Sequence, residues 1–340
     1  MNKIKEILIS KFADRIINGE FNYHKAYKDA MIPPMNIEGK NLYTGNNRIM
    51  LCGEFNGYKT PLYMTAIQAK NNDMTIKKGE HAHSVLFVKK YIEGKKDQEQ
   101  EAESFDDEEN KNVHVLTRYY NVFSIDQLEG KYIDKYLSMY QNMIDKIIDF
   151  KKESTDKYII DGLKEYLKSN NIELIETNET WTPKMQYKRD QTSGKIIMPL
   201  EKQFYSDAEY VSVFIHELSH YYDEIKLKTK SNREDKEIIA ETSALFTMIN
   251  ISSSMNHNVN IYNRVIESSF DYIKGWSKAK YETGKENEFK NALGRAFDIS
   301  GMIMKDVSQY IGIDDIREKE RFKKLLEETQ NRERTNTHTF

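Results

Sequence analysis

Residues 206–246 read SDAEYVSVFIHELSHYYDEIKLKTKSNREDKEIIAETSALF, and they contain the pattern His-Glu-Leu-Ser-His at positions 216–220. Two histidines four residues apart lie on one face of a helix, one turn above the other. Imidazoles at this spacing favour a shared Zn²⁺, and Glu217 between them is the candidate general base. With 8 His in 340 residues, chance produces this pattern in roughly 1–3% of comparable chains. The stretch therefore predicts a hydrolytic zinc site with His216 and His220 as metal ligands.

The flanking residues predict two helices at this site. Ser206 and Glu209 form the S-x-x-E pattern that is typical of a helix start, and Ser231 and Glu234 repeat it before the second helix. The first helix has an apolar stripe at 4-3-4 spacing, which predicts the face that packs in the core. The stripe consists of Val211, Ile215, Leu218 and Tyr222. The two histidines lie at its edge.

Zinc requires a third protein ligand, and the second helix offers Glu237 and Glu241, again four residues apart. One carboxylate is expected to bind the metal while the other holds the Nδ1–H of a histidine. The alternative interpretation leaves both carboxylates in solvent. This E-x-x-x-E pattern resembles the corresponding helix of gluzincin-type peptidases, in which the first carboxylate is the ligand. The resemblance implies Glu237 as the metal ligand, with Glu241 as its support or as the alternative ligand.

Peptide hydrolysis also requires a group that stabilises the oxyanion, and a tyrosine is a usual choice. Tyr272 is the candidate for this role, with Tyr221 and Tyr222 as rivals. Residues 186–199 read as a hairpin with a Thr-Ser-Gly turn at 192–194. The resemblance to zincin folds, in which a strand along the cleft presents backbone groups to an extended peptide, makes this hairpin the candidate for that role. The expected substrate of the site is therefore a protein or peptide.

Length and composition limit the other possibilities. A chain of 340 residues predicts two domains, and a hydrophobic content of 39% is sufficient for real cores. Cys52 is the one cysteine of the sequence, so a disulfide framework and a cysteine-based zinc site are excluded. The sequence shows no signal-peptide pattern and no apolar run of about 18 residues. We expect a cytoplasmic protein with no membrane segment.

Charge is unevenly distributed along the chain. Residues 1–95 hold 15 Lys and Arg against 9 Asp and Glu, whereas residues 96–111 hold 2 against 8. A basic region with interleaved tyrosines is typical of a protein that binds single-stranded DNA, because cations follow phosphates and aromatic faces stack bases. The alternative is that the tyrosines are core residues and the lysines a solvated face. The acidic excursion 96–111 lies between two predicted strands, which begin near Ser84 and Val113.

Taken in order, several short motifs resemble the ArdC-type antirestriction proteins of mobile elements. The resemblance covers residues 25–305 and rests on these segments: Gly39-Lys40-Asn41-Leu42-Tyr43, Gly45-Asn46-Asn47, Tyr63-Met64-Thr65, Gln68-Ala69-Lys70, Lys77-Lys78-Gly79-Glu80, Val122-Phe123-Ser124-Ile125-Asp126-Gln127, Lys195-Ile196-Ile197-Met198-Pro199, the histidine pair, Glu237-Ile238-Ile239-Ala240-Glu241 and Tyr272-Ile273-Lys274-Gly275-Trp276. The sequence departs from the family where Tyr221-Tyr222-Asp223 replaces Trp-Thr-Gly and where a Trp-Pro-rich start is reduced to Pro33-Pro34.

This resemblance implies an N-terminal domain that binds single-stranded DNA and a C-terminal zincin-like metallopeptidase, which together protect incoming DNA from host restriction. Alternatives are a DNA-binding protein with a structural or inactive zinc site, and an intracellular metallopeptidase without DNA binding. The candidate DNA contacts are Tyr43, Asn46, Asn47, Arg48, Tyr63, Gln68, Lys70, Lys77, Lys78 and His81. The expected fold class is α+β. We expect a small mixed α/β domain at 1–130, a mainly helical gluzincin-type domain with a short sheet at 131–325, and a polar tail at 326–340.

Overall fold

The computed structural model describes residues 3–17, 33–51, 58, 60–92, 100–101, 113–152, 157–178, 183–187, 194–204, 206–252, 254, 262–314, 318–320, 323–324 and 327. The chain divides into two compact units. The larger consists of Met1–Ile32 and Asp145–Glu318, and the smaller of Pro33–Ile144 and Lys319–Phe340. The sequence predicts a domain boundary at residue 130. In the structure the chain passes from the smaller to the larger unit between Ile144 and Asp145, and residues 1–32 group with the larger unit. The assignment of one activity to each range stays a prediction.

The smaller unit is built on a six-stranded sheet with strand order β2-β1-β3-β7-β5-β6, beside the two-stranded sheet β4-β8. The expected pairing of the strands that flank the acidic excursion is confirmed, since β5 and β7 form an antiparallel ladder from His83–Val122 to Ile92–Val113. The excursion itself lies almost entirely outside the described residues. The elements are β1 Met35–Asn36, β2 Asn41–Leu42, α2 Gly45–Leu51, β3 Leu62–Thr65, α3 Ala66–Asn71, β4 Met74–Ile76, β5 His83–Ile92, β6 Gln100–Glu101, β7 Val113–Ser124, β8 Leu128–Gly130 and α4 Ile133–Lys152, the last of which continues into the range of the larger unit.

Local sequence explains how the smaller unit turns from strand to helix. Thr65 ends β3 in an extended conformation, and its side chain accepts a hydrogen bond from the N–H of Gln68 while the Gln68 side chain returns to the Thr65 N–H. This capping box satisfies two backbone donors that the first turn of α3 leaves without partners. The core of the sheet is a cluster of Leu51, Tyr63, Val85 and Val122, each no more than 5% exposed.

The larger unit is mainly helical, with the three-stranded sheet β10-β11-β9, so the α+β fold class is confirmed. The antiparallel pairing of β10 with β11 confirms the expected hairpin, whose turn lies mostly outside the described residues. Phe12 of α1 packs edge-on against Phe246 and Phe297, at ring-centroid distances of 5.5 and 5.6 Å. The elements are α1 Lys3–Ile17, α5 Lys157–Ser169, β9 Glu173–Thr177, β10 Lys184–Tyr187, β11 Gly194–Pro199, α6 Asp207–Tyr221, α7 Arg233–Ser252, α8 Tyr262–Glu282 and α9 Glu286–Val307.

Helix α6 begins and packs as its sequence predicts. The Ser206 hydroxyl accepts a hydrogen bond from the N–H of Glu209 at 3.2 Å. The predicted stripe is fully buried, since its four members Val211, Ile215, Leu218 and Tyr222 are 0% exposed. The helix then widens into one π-helical turn at Tyr222–Lys226. The stripe fixes the rotation of α6 about its axis, and hence the direction in which its histidines point.

The start of α7 differs from the prediction. Its first turn is capped by Asn232, whose Oδ1 accepts a hydrogen bond from the N–H of Asp235 at 2.8 Å. The Ser231 hydroxyl, which the S-x-x-E pattern assigned to this role, instead accepts a hydrogen bond from the guanidinium of Arg295. Asparagine is as effective a cap as serine, so the helix begins one residue later without loss. Among the described residues, none of the helices is long and apolar enough to cross a membrane.

Candidate metal centre and nucleic-acid surface

Helices α6 and α7 bring together the residues that the sequence selected for a metal site. His216 and His220 lie one turn apart on α6, with ring centroids 4.9 Å from each other. Glu237, on the second turn of α7, faces both rings. Its Oε2 is 3.5 Å from Nε2 of His216, and its Oε1 is 3.9 Å from Nε2 of His220. One ligand atom from each of the three residues lies within 4.8 Å of the other two, which is close enough to hold one ion.

The opposite nitrogens of the two rings face other carboxylates. Nδ1 of His216 is 2.9 Å from Oε2 of Glu241, which leaves Nε2 directed toward Glu237. Nδ1 of His220 is 3.9 Å from Oε1 of Glu224, a residue in the π-helical turn. Glu224 is not among the residues predicted from the sequence, although its position four residues after His220 is a signal for it. Each imidazole therefore has a carboxylate behind it, as metal-binding histidines usually do.

The pKa values of the two histidines and of Glu237 indicate which of these side chains carry a charge. Burial lowers the pKa of His216, but hydrogen bonds with Glu237 and Glu241 outweigh burial and raise it to about 10. Burial lowers the pKa of His220 to about 4, helped by the positive charge on His216. The hydrogen bond from His216 lowers the pKa of Glu237. His216 is therefore protonated, His220 is neutral, and the carboxylates of Glu237 and Glu241 face the one positive charge on His216.

The donor atoms of His216, His220 and Glu237 are of the types that bind a divalent cation. Two imidazole nitrogens and one carboxylate oxygen are the ligands of many catalytic zinc sites, which keep a fourth position open. A cation between His216, His220 and Glu237 would compensate the same carboxylates that otherwise attract a proton to His216. The residues therefore suit a metal without rearrangement of α6 or α7. The individual roles given to them stay predictions.

The candidate metal centre opens into a cleft with a volume of about 1490 Å³. Glu217, 4% exposed, lines this cleft together with the three candidate ligands. Pro183 and Lys184, at the start of β10, line it as well. A buried carboxylate beside the histidines is the arrangement that a general base requires, because it must reach a water molecule near the ligands.

The three tyrosines considered for oxyanion stabilisation occupy different places. Tyr272 lies on α8, is 45% exposed and lines the cleft, with its ring 6.0 Å from that of Trp276. Tyr222 is 0% exposed, and its hydroxyl donates a hydrogen bond to Asp306 at 2.6 Å. Tyr222 is therefore a core residue and no longer a rival. The ring of Tyr221 packs edge-on against Tyr222 at 6.1 Å. Tyr272 stays the candidate.

Comparisons with known proteins agree with this arrangement of two units. Residues 2–123 match the family model described as the N-terminal domain of anti-restriction factor ArdC. The fold matches the crystal structure of antirestriction ArdC from plasmid R388 in its metal-free form, with a TM-score of 0.50 and 18% identity over 90% of this chain and 98% of that one. Residues 2–123 thus resemble the ArdC N-terminal domain, and the chain shares its fold with the R388 protein.

A Mn(II)-bound crystal structure of the R388 ArdC protein is similar at a TM-score of 0.48, with 17% identity over 90% of this chain and 98% of that one. No curated protein matches the sequence. The family match of residues 2–123 and the similarity to the metal-free structure confirm the resemblance to ArdC-type antirestriction proteins, which was inferred from the order of short motifs. Most of the residues that match the N-terminal domain model lie in the smaller unit.

Several of the predicted DNA contacts instead hold the smaller unit together, and the structure corrects their assignment. Arg48 is 1% exposed and its Nε donates a hydrogen bond to the carbonyl of Tyr43 at 3.2 Å. Tyr63 is 0% exposed and its hydroxyl donates to the carbonyl of Leu51 at 2.9 Å. Burial raises the pKa of Tyr43 to about 12. Arg48 and Tyr63 therefore present no guanidinium or aromatic face to a base, whereas Tyr43 is half-buried.

Two further candidates use their amides inside the unit. Asn47 donates from Nδ2 to the carbonyl of Leu86 at 2.6 Å and accepts from the Leu86 N–H at 2.8 Å. Gln68 closes the capping box of α3 and exchanges two hydrogen bonds with Asn36, at 3.0 and 3.1 Å. Asn46 is half-buried. The remaining candidates are exposed, and they are Lys70, Lys77, Lys78 and His81.

An aromatic and basic segment of β7, outside the predicted DNA contacts, is exposed. Arg118, Tyr119 and Tyr120 are exposed, with Tyr119 at 57% and Tyr120 at 44%. The sequence carried a signal for this, since consecutive residues of a strand point to opposite faces and two adjacent tyrosines cannot both enter one core. Side chains of this kind on an open strand are available to a ligand.

Proposed function

We propose that this ArdC-type chain protects incoming DNA from restriction by binding single strands through its smaller unit, and that its larger unit is a zinc-dependent peptidase. The match of residues 2–123 to the N-terminal domain of anti-restriction factor ArdC supports the protective role. The peptidase proposal is carried by one observation, namely that the Nε2 atoms of His216 and His220 both face the carboxylate of Glu237.

The larger unit has the parts that peptide hydrolysis requires. Zn²⁺ held by His216, His220 and Glu237 would supply Lewis acidity toward a peptide carbonyl. Glu217 accepts a proton from water and later delivers it to the leaving amine. The hydroxyl of Tyr272 donates a hydrogen bond to the oxygen that gains charge. Each role belongs to a side chain that lines the same cleft.

An extended peptide can pair with the strand that lines this cleft. Strand β10 is the outermost strand in the order β10-β11-β9, and its start lines the cleft wall through Pro183 and Lys184. Backbone groups along an outer strand can pair with an extended segment of a substrate. The substrate class that follows is an unfolded or loop segment of a protein.

The peptidase proposal is tested by the variant Glu217→Gln beside the wild type and the control Glu282→Gln, whose carboxylate is 66% exposed at the end of α8. Protein stripped by a chelator is reloaded with Zn²⁺ or Mn²⁺, and hydrolysis of an unstructured casein is followed by fluorescence. We expect Glu217→Gln to retain metal by elemental analysis and to lose cleavage, while Glu282→Gln behaves as wild type. Cleavage by Glu217→Gln at the wild-type rate rules out the assigned base. Bound metal with no cleavage by the wild type supports a structural zinc site.

The DNA-binding proposal is tested on the full chain with a fluorescent oligothymidine. We expect the affinity to fall steeply between 50 and 200 mM salt, because each phosphate contact releases counterions, with a log–log slope of about −0.7 per contact. A flat profile, or the absence of binding, removes this part of the proposal and leaves an intracellular metallopeptidase.

A further inference from the structure

The exposed segment of β7 pairs with β5 and forms a two-stranded ribbon, residues 85–87 and 118–120, whose two faces are both exposed. Directly paired residues are Tyr120 with Val85, Tyr119 with Leu86, and Arg118 with Phe87. Successive side chains on a strand point to opposite faces, so Tyr119 projects from one face and Tyr120 from the other. Since both rings are substantially exposed, neither face of the ribbon is covered at this level.

The ribbon emerges from the core at this point. Val122 and Val85, on the same face as Tyr120, are 1% and 5% exposed and belong to the core cluster. One pair further out, the ring of Phe87 packs edge-on against Tyr120 at 5.9 Å and 81°. This contact holds the Tyr120 ring in place while 44% of the residue remains exposed. The position of Tyr120 is thus fixed before any ligand arrives.

The chemistry of the ribbon favours a nucleic acid over a protein partner. Neither β5 nor β7 contains an Asp or Glu, whereas Lys89, Lys90 and Arg118 contribute three cationic residues. Glu101 of β6 lies opposite Lys89, at the other end of the ladder from the core. Among the described side chains at this level, 85–87 and 118–120, none is a carboxylate. An aromatic face beside a guanidinium stacks a base and neutralises its phosphate.

We propose that Tyr119 and Tyr120 are base-stacking residues for single-stranded DNA, one on each face of the β5–β7 ribbon, and that Arg118 contacts the phosphate backbone beside them. This inference rests on the proposed DNA binding and names the surface that performs it. It replaces the enclosed residues Arg48 and Tyr63 with residues that a base can reach. A strand that follows the ribbon places one base against each ring.

The test measures the affinity of the full chain for a fluorescent oligothymidine by anisotropy at several salt concentrations. Tyr119→Ala and Tyr120→Ala are each expected to weaken binding by about fivefold to hundredfold, with no change in the salt slope, because stacking is lost and charge is not. Arg118→Ala is expected to reduce the slope by about one phosphate contact. Tyr119→Phe and Tyr120→Phe should bind as wild type, since they keep the aromatic face.

Tyr132→Ala is the matched control, because Tyr132 is 37% exposed just before α4 and is not part of the ribbon. Wild-type affinity in both tyrosine-to-alanine variants overturns this inference and leaves the proposed function intact. No binding by the wild type removes both. Should an alanine variant fail to fold, a 5-iodouridine oligonucleotide photocrosslinked to the wild type decides the matter. A crosslink within residues 118–120 supports the inference, and crosslinks confined to other peptides overturn it.

Discussion

Oε2 of Glu241 lies 2.9 Å from Nδ1 of His216, on the ring edge opposite the nitrogen that faces Glu237. The two carboxylates of α7 therefore hold one imidazole from its two sides. Burial raises the pKa of Glu241, but the hydrogen bond with His216 outweighs burial and lowers it, so this side chain is an anion. An anionic partner fixes the orientation of the ring and keeps a proton on Nδ1, so that Nε2 is the nitrogen available to a metal.

Replacement of Glu241 tests this arrangement. We expect Glu241→Gln to weaken metal binding by roughly tenfold to hundredfold, because the His216 ring loses its anionic support. Glu224→Gln is the matched control on the other ring, where the separation of 3.9 Å predicts a smaller loss. Competition with a fluorescent zinc chelator measures both affinities. A larger loss for Glu224→Gln would contradict the assignment, and complete loss of metal in Glu241→Gln would make Glu241 the ligand in place of Glu237.

The second prediction concerns the independence of the two activities. His216→Ala removes one of the three candidate ligands, and we expect zinc to be absent from this variant by elemental analysis. Its affinity for oligothymidine should stay near the wild-type value, since the ribbon residues are unchanged. The anisotropy titration that gives the wild-type affinity provides the comparison. Simultaneous loss of metal and of DNA binding would show that the two sites depend on each other.

The third prediction concerns the buried ammonium of Lys280, which is 1% exposed and lies within 2.9–3.1 Å of carboxylate oxygens of Glu234, Asp235 and Glu288. This cluster ties the first turn of α7, one turn before Glu237, to α8 and α9. Lys280→Ala is expected to lower the free energy of unfolding by about 1–3 kcal/mol, because it removes charge-assisted hydrogen bonds to carboxylates that are 20–46% exposed.

Lys278→Ala is its control, since the Lys278 side chain is 78% exposed and its nearest carboxylate, Glu282, is 3.9 Å away. An exposed pair of this kind contributes at most about 1 kcal/mol. Urea unfolding of the two variants provides the measurement. Equal stability of the two variants would show that the cluster around Lys280 contributes nothing.

The fourth prediction compares two helical glycines. A Cβ on Gly162 of α5 would lie 2.3 Å from the carbonyl oxygen of Tyr310, whereas a Cβ on Gly275 of α8 would meet nothing within 4 Å. Gly162→Ala is expected to destabilise the protein by about 1–3 kcal/mol through overpacking. Gly275→Ala should stabilise it by up to about 1 kcal/mol, since alanine favours the helix. Thermal unfolding of the two variants provides the measurement, and we expect their midpoints to shift in opposite directions. A shift of the same sign in both variants would contradict the prediction.

The sequence was most informative where a chemical requirement and a helical period coincide. The spacing of His216 and His220 and the buried stripe beside them follow from one helix geometry, so the arrangement of α6 could be predicted in detail. Which carboxylate of α7 faces Nε2 depends on the packing of α6 against α7, and the sequence alone left that choice open. The spacing of Glu224 from His220 was a signal in the sequence, but the π-helical turn that contains Glu224 was not predicted.

The nucleic-acid surface could not be predicted in the same way. Composition showed that the N-terminal region is basic and rich in tyrosine, but burial decides which residues are available, and burial depends on tertiary packing. Tyr63 and Tyr119 are chemically alike, yet Tyr63 is 0% exposed and Tyr119 is 57% exposed. Alternation along β7 was the local signal for Tyr119 and Tyr120, because a strand carries adjacent side chains to opposite faces.

The paired hydrogen bonds between Asn47 and the backbone of Leu86 have a consequence for solubility. The amide occupies the N–H and C=O of Leu86 in the way that a neighbouring strand would, so this part of the β5 edge is closed to a second chain. Unprotected edges invite intermolecular strand addition and aggregation. One asparagine side chain therefore helps to keep separate copies of the protein from joining their sheets.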